Sequence, residues 1–159
     1  MPRKGSVKKR PVEKDPIYKS KLVTKLINRS MFHGKKTIAR KHIYNAFKII
    51  KKEKGVSPKT VFDQAMDNLK PQVEVRSRRV GGAAYQVPMP VRGSRQNSLA
   101  IRWLVQAARQ RPNKQYHTYA EKLAAEIIDA SEGQGSAFSK KQQVERTAEA
   151  NKAFSHLRW

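Results

Sequence analysis

Apolar residues recur every three or four positions along most of the chain, and this spacing is typical of amphipathic helices. Capping residues, glycines and prolines divide the pattern into six segments. The predicted helices cover residues 17–30, 37–53, 58–69, 92–111, 116–131 and 137–150, with 94 and 139 as alternative starts for the fourth and sixth.

Local signals place several of these helix ends. Thr37 is predicted to cap the second helix, and Gly55 to end it. Ser57 and Pro58 offer an N-cap residue followed by proline in the first turn of the third helix. The buried stripe predicted for the second helix contains Ile38, Ala39, Ile43, Ala46, Phe47 and Ile50.

In the segment between the third and fourth helices, the helical spacing gives way to an alternation of apolar and polar residues. Val73 and Val75 alternate with polar residues, and Tyr85, Val87 and Met89 do so again after a pair of glycines. Paired glycines supply the positive φ angles of tight hairpin turns. The pattern therefore predicts a β-hairpin at about 73–89, and the fold class is mainly α: a bundle of about six helices with a β-hairpin inserted between the third and fourth.

The ends of the chain differ from this central part. Residues 1–16 hold six basic residues and three prolines but little apolar material, so they are expected to form a flexible basic RNA-binding arm. The helical domain is predicted to extend over residues 17–150, and residues 151–159 are assigned to a C-terminal tail. A solubilising or targeting tail is the alternative reading of the arm.

Charge points to a polyanionic partner. The 159 residues include 35 Lys and Arg against 12 Asp and Glu, a net charge of +23. Residues 1–54 carry +15, residues 55–112 carry +7 and residues 113–159 carry only +1. Nucleic acid is the partner that such a charge favours, and it should lie against the first two thirds of the chain.

Several function classes find no support. The chain has no cysteine, which excludes disulfides and thiolate catalysis and favours a reducing cytosol. No apolar run is long enough for a membrane span. The four histidines are scattered, and neither Gly81-Gly82 nor Gly34-Lys35-Lys36 has the sequence of a phosphate-binding loop. We therefore expect no enzyme activity, no cofactor, no metal site and no small-molecule substrate.

The acidic residues of the last third, including Glu121, Glu126 and Asp129, are interpreted as part of a solvated helix face. Two interpretations are open for the hairpin arginines Arg76, Arg78 and Arg79: protection of an edge strand, or contact with RNA through the planar guanidinium fork. A DNA-packaging or transcription-related protein is a rival class, and a small RNA-modifying factor is another. Basic groups spread over an arm, a loop, a hairpin and a helix start favour an irregular RNA recognised by shape.

Four strings of the sequence carry a family resemblance. They are KPQVEVRSRRVGGAAYQVPMPVR (70–92), NSLAIRWLVQAAR (97–109), AEANKAFSHLRW (148–159) and GKKTIA (34–39). Together with the MPR start, they resemble the bacterial-type small-subunit ribosomal protein S-seven family over essentially the whole chain. His33, where an aspartate is common, and a longer connection at residues 111–123 depart from the family pattern.

This resemblance implies a primary binder of small-subunit ribosomal RNA that nucleates assembly of the subunit head. It implies a place at the subunit interface near the exit-site tRNA and the messenger, beside the ninth and eleventh small-subunit proteins, in the cytoplasm of a bacterium or, alternatively, in a plastid. The residues it assigns to ribosomal RNA are Arg3, Lys4, Lys8, Lys9, Arg10, Lys35, Lys36, Arg76, Arg92 and Arg95. Those it places near tRNA and messenger are Arg78, Arg79, Gly81, Gly82 and Tyr85.

Overall fold

The computed structural model describes Gly5 and residues 11–157. Within them, six α-helices surround a core and a two-stranded antiparallel sheet lies between the third and fourth helices, so the predicted fold class is confirmed. The elements are α1 (Lys21–Ser30), α2 (Lys36–Lys54), α3 (Pro58–Leu69), β1 (Val73–Val80), β2 (Ala83–Pro90), α4 (Gly93–Gln110), α5 (Tyr119–Ser131), α6 (Gly135–Ala150) and a 3-10 helix (Lys152–Leu157).

The centre of the bundle is α5, which packs against α2, α3, α4 and α6. Its Leu123 and Ile127 are completely buried, as are Phe47 of α2 and Phe62 of α3. The two phenylalanine rings lie 5.7 Å apart between centroids. Five of the six positions predicted for the buried stripe of α2 are in this core, but Ile38 is 52% exposed, so its assignment to that stripe is wrong. None of the helices in residues 11–157 is long and apolar enough to cross a bilayer.

Two helices begin later than their apolar period suggested. The buried carboxylate of Asp15 accepts hydrogen bonds from the backbone N–H groups of Ile17 and Tyr18 at 3.1 and 3.0 Å, which holds these residues in a turn ahead of α1. Similarly, α5 starts at Tyr119 because Thr118 and Glu121 form a capping box. Each delay arises from a polar side chain that satisfies backbone donors before the helix begins.

The predicted caps of α2 and α3 differ in outcome. Residue Lys35, not Thr37, is at the N-cap of α2, and Thr37 lies inside the helix. Ser57 does occupy the N-cap of α3 with Pro58 in the first turn, but its side chain makes no capping hydrogen bond. Gly55 ends α2 in the left-handed conformation with φ 68°, as predicted.

The hairpin has the predicted two-glycine turn. Gly81 and Gly82 have φ of 57° and 90°, and the strands pair from Val80 with Ala83 to Val73 with Pro90. Direct cross-strand partners lie on the same face of a sheet. This register puts Tyr85, Val87 and Met89 on the face of Arg76 and Arg78, opposite Val73 and Val75, so the two apolar alternations do not form one face.

Both faces of the hairpin are used near its base. There Val87 and Pro88, adjacent on β2 and therefore on opposite faces, are both buried. Helix α6 packs against β1, and the Tyr85 ring lies 5.3 Å from that of Phe154 in the 3-10 helix. The 3-10 helix lies within the segment assigned to the C-terminal tail, and it packs against β2.

A buried ion pair joins α4, α5 and α6, and it overturns the interpretation of Glu126 as a solvated residue. The Glu126 side chain is 0% exposed; it accepts a hydrogen bond from Arg111 Nε at 2.7 Å and another from the backbone N–H of Ala137 at 2.9 Å. The Arg111 guanidinium also pairs with Asp129. Because Arg111 follows α4 and Ala137 lies in the first turn of α6, one carboxylate fixes three helices.

Candidate nucleic-acid interface

Glu74 joins the base of the hairpin to the start of α4, and it is only 6% exposed. Arg95 of α4 donates from Nε to the two Glu74 carboxylate oxygens at 2.7 and 2.8 Å. Arg76, two residues further along β1, donates from Nε at 2.8 Å. The side chains of Arg76 and Arg95 remain about half exposed, at 50% and 47%. The structure therefore brings together two guanidiniums that the sequence places 19 residues apart.

The ionisation of Glu74 follows from these contacts. Burial disfavours the charged carboxylate, but hydrogen bonds from Arg95 and Arg76 and the positive charge of both outweigh that effect and hold the pKa of Glu74 below its usual value. The carboxylate is therefore charged at neutral pH. It contributes stability above the pKa of an unfolded glutamate, and this contribution is lost as pH falls through the lower pKa of the folded state.

The other predicted hairpin residues lie further toward the turn. Arg79, Gly81 and Gly82 are exposed, whereas Arg78 and Tyr85 are cross-strand partners and are partly buried. Arg92 is exposed at the N-cap of α4, where its backbone carbonyl accepts hydrogen bonds from the N–H groups of Arg95 and Gln96 at 2.8 and 2.9 Å.

The turn between α1 and α2 presents a second basic group. His33 and Gly34 both have positive φ, 49° and 73°, and the turn leaves Lys35 and Lys36 exposed. Next to them, Phe32 is 60% exposed and the Arg109 guanidinium stacks on its ring, 4.0 Å from the centroid. Lys35 and Arg109 both line a cleft of about 250 Å³ that also includes Ile38, His42 and Tyr119.

These two basic groups lie at opposite ends of α4. Arg95 is in its first turn and Arg109, which lies beside Lys35, is in its last. Fourteen residues of helix separate them, a distance of roughly 21 Å. The structure thus does not gather all predicted RNA-binding residues in one place; α4 spans the gap between the groups.

Sequence reasoning missed the cations between the two groups. Arg95, Arg102 and Arg109 follow one another at intervals of seven residues and are all exposed, so they lie along one side of α4. Lys25 and Arg29 of α1 line an adjoining groove with Ser98 and Ile101 of α4. We call these five cations the basic stripe: Lys25, Arg29, Arg95, Arg102 and Arg109. The seven-residue spacing was the available signal.

The predicted arm residues Arg3, Lys4, Lys8, Lys9 and Arg10 lie outside the described residues. The first firm attachment after them is Asp15, which accepts a hydrogen bond from the Tyr44 hydroxyl of α2 at 2.8 Å. Burial and this bond to the carboxylate raise the pKa of Tyr44 to about 12. Within the part of the chain that the structure describes, no three acidic or histidine side chains are grouped so that they could bind a metal.

Comparison with known proteins matches the sequence of the chain to one family. Residues 2–152 match the family model described as Ribosomal protein S7p/S5e. The chain is 57% identical to the small ribosomal subunit protein uS7 of Carboxydothermus hydrogenoformans, and 55% identical to the proteins of that name from Thermoanaerobacter sp. (strain X514) and Acetivibrio thermocellus, over the full length of each. These relatives are ribosomal proteins and not enzymes, which confirms the prediction that the chain is not an enzyme. The chain belongs to the ribosomal protein S7p/S5e family.

Proposed function

We propose that this protein binds small-subunit ribosomal RNA directly and early, and that it nucleates assembly of the head of the small subunit in the bacterial cytoplasm. The observation that carries the proposal is the arrangement of exposed cations on one framework. These cations follow α4 from end to end. They are Lys35 in the turn between α1 and α2, which we call the Lys35 turn, then the basic stripe, and then the Arg76–Arg95 pair. A rigid helix about 21 Å long between two basic groups is suited to contact more than one RNA segment.

The mechanism is electrostatic and structural. Lysines and arginines displace counterions from phosphates, and each contact steepens the logarithmic salt dependence of binding by roughly 0.7 to 0.9. Because the cations belong to separate elements held by one core, the bound RNA segments acquire a defined mutual arrangement. Later subunit proteins then meet RNA that is already ordered, which is what nucleation of assembly requires.

Protein neighbours are proposed for the near-neutral last third. Residues 113–159 carry a net charge of +1, so they gain little from contact with phosphates. Exposed Glu149 of α6 is three residues from basic Arg146 of the same helix and three residues from Lys152, which begins the adjoining 3-10 helix. Mixed charge of this kind favours protein contacts, and we assign it to the ninth and eleventh small-subunit proteins.

Competition binding tests the proposed function. At physiological salt, a labelled fragment of small-subunit ribosomal RNA is expected to stay bound to the purified chain when duplex DNA of equal length is added in equal amount. Chemical footprinting on the same RNA should then show protection at a limited set of nucleotides. Equal displacement by duplex DNA would favour the rival DNA-binding class and contradict the proposal.

Deletion of residues 1–10 tests the arm. The deleted segment holds five basic residues, so the salt slope of RNA binding should decrease by up to about 3.5 to 4.5, and affinity should fall with it. The thermal midpoint should stay the same, because the deletion retains every core residue of the described part of the chain, from Val23 onward. A salt slope equal to that of the full chain would remove the arm from the RNA-binding surface.

Replacing Arg78 and Arg79 by alanine tests the hairpin tip. We propose that these residues, with Gly81, Gly82 and Tyr85, face the exit-site tRNA and the messenger. Reconstituted subunits carrying both substitutions should assemble normally but should hold tRNA in the exit site less well. If instead the double variant fails to bind ribosomal RNA or to enter the subunit, the hairpin belongs to the attachment surface.

A further inference from the structure

Glu74 is an acidic residue in the middle of a strongly basic surface. It is one of only three acidic residues between positions 55 and 112, where ten are basic. Its position near phosphates would oppose RNA binding by simple charge repulsion. Yet its carboxylate is buried and both neighbouring guanidiniums are hydrogen-bonded to it.

We propose that Glu74 is a positioning residue that orients Arg76 and Arg95 as a single clamp for an RNA phosphate. This inference rests on the proposed function, since it assigns a mechanism to one part of the RNA-binding surface. The carboxylate accepts a hydrogen bond from the Nε–H of each guanidinium, and each arginine side chain remains about half exposed to solvent. A guanidinium has five N–H donors in one plane, so hydrogen bonds to Glu74 leave further donors for a phosphate.

The physical advantage is preorganisation. A free arginine side chain loses considerable rotamer freedom when it binds a phosphate. In this protein part of that loss occurs on folding, because Glu74 holds a residue of β1 and a residue of α4 in fixed positions. The clamp also joins the hairpin to α4, so a phosphate held between the two guanidiniums would contact both elements.

The charge and positioning effects of Glu74 predict opposite results. Glu74→Gln removes one negative charge while keeping the shape of the side chain. If charge alone matters, RNA should bind more tightly; if Glu74 positions the arginines, RNA should bind roughly tenfold more weakly. Glu53→Gln is the matched control, because Glu53 is exposed on α2 and its replacement makes the same change in net charge.

A double-mutant cycle separates positioning from general destabilisation. In the Arg76→Ala/Arg95→Ala background, the salt slope should already be lower by about 1.4 to 1.8, as the loss of two contacts requires. Adding Glu74→Gln there should change affinity less than twofold, because the residues through which Glu74 acts are gone. A loss that persists at tenfold in this background would assign Glu74 a merely structural role and overturn the proposal.

Nuclear magnetic resonance on the free protein provides a measurement that does not depend on RNA. The Nε–H protons of Arg76 and Arg95 should exchange slowly with water in the full-length wild-type chain and in Glu53→Gln, and at least tenfold faster in Glu74→Gln. Slow exchange retained in Glu74→Gln, or RNA affinity equal to or above that of Glu53→Gln, would overturn the positioning role. Failure of the wild-type chain to bind the RNA fragment would instead contradict the proposed function itself.

Discussion

Replacing Glu126 by alanine is expected to lower the free energy of unfolding by about 3 kcal/mol, the largest effect we predict for a charged side chain in this protein. The substitution leaves the Arg111 side chain, which is only 15% exposed, with Asp129 as its remaining carboxylate, and it removes the acceptor of the Ala137 N–H. Loss of one partner of a buried ion pair typically costs about 3 to 5 kcal/mol. The lower end applies because Asp129 stays. Urea denaturation followed by circular dichroism measures the change.

Glu149→Ala is the control for this prediction. Glu149 is an exposed acidic residue of α6, so its replacement should change the free energy of unfolding by less than about 0.5 kcal/mol. A Glu126→Ala variant as stable as Glu149→Ala would mean that the Arg111 pair does not hold α4, α5 and α6 together. A second variant, Glu126→Gln, keeps an acceptor for the Ala137 N–H, so its loss should be smaller than that of alanine.

Elements defined by local signals were predictable from the sequence. The hairpin turn follows from the need for positive φ at Gly81 and Gly82, and α3 begins where Ser57 and Pro58 indicate. Predictions were wrong where the burial of a side chain depends on a distant part of the chain. Ile38 fits the apolar period of α2, but it remains half exposed because it borders the cleft beside Lys35.

Glu126 illustrates the same limit more strongly. Its spacing matches a solvated helix face, and its burial depends on two distant partners, Arg111 fifteen residues earlier and the Ala137 N–H eleven residues later. How the faces of the two hairpin strands match could not be predicted for a related reason. Alternation within one strand specifies two faces, but which face of β1 matches which face of β2 depends on the register across the turn.

The candidate site was predictable in its residue types but only partly in its geometry. The cations of the hairpin, the Lys35 turn and the start of α4 could be named from the sequence. That Glu74 joins Arg76 to Arg95 could not, since it requires β1 and the first turn of α4 to be neighbours. Arg102 was overlooked although its spacing of seven residues from Arg95 was an available signal. That α1 adds cations beside it could not be predicted, because this requires α1 and α4 to pack together.

Removing cations from the basic stripe and the adjacent turn should strongly weaken RNA binding. A variant with four Gln substitutions, at Lys25, Arg29, Lys35 and Arg102, loses four of the phosphate contacts that we propose. Its salt slope should decrease by roughly 2.8 to 3.6, and near 0.15 M salt this corresponds to a roughly 10²- to 10³-fold loss of affinity. Arg109 is left in place because it donates to the Ser30 carbonyl at 3.2 Å and stacks on Phe32. Filter binding at several salt concentrations measures both quantities.

The matched control removes the same number of charges elsewhere. The residues chosen are exposed on the last turn of α2, on α3 and on α6, and none of them lines the α1–α4 groove: Lys51, Lys52, Lys59 and Arg146. If only the net charge of the chain attracted RNA, the two variants would lose affinity equally. If RNA follows α4, the control should keep a nearly wild-type slope, since charges far from the bound phosphates release few counterions. Equal slopes in the two variants would contradict the placement of RNA along α4 and return the interface to the hairpin and the N-terminal arm.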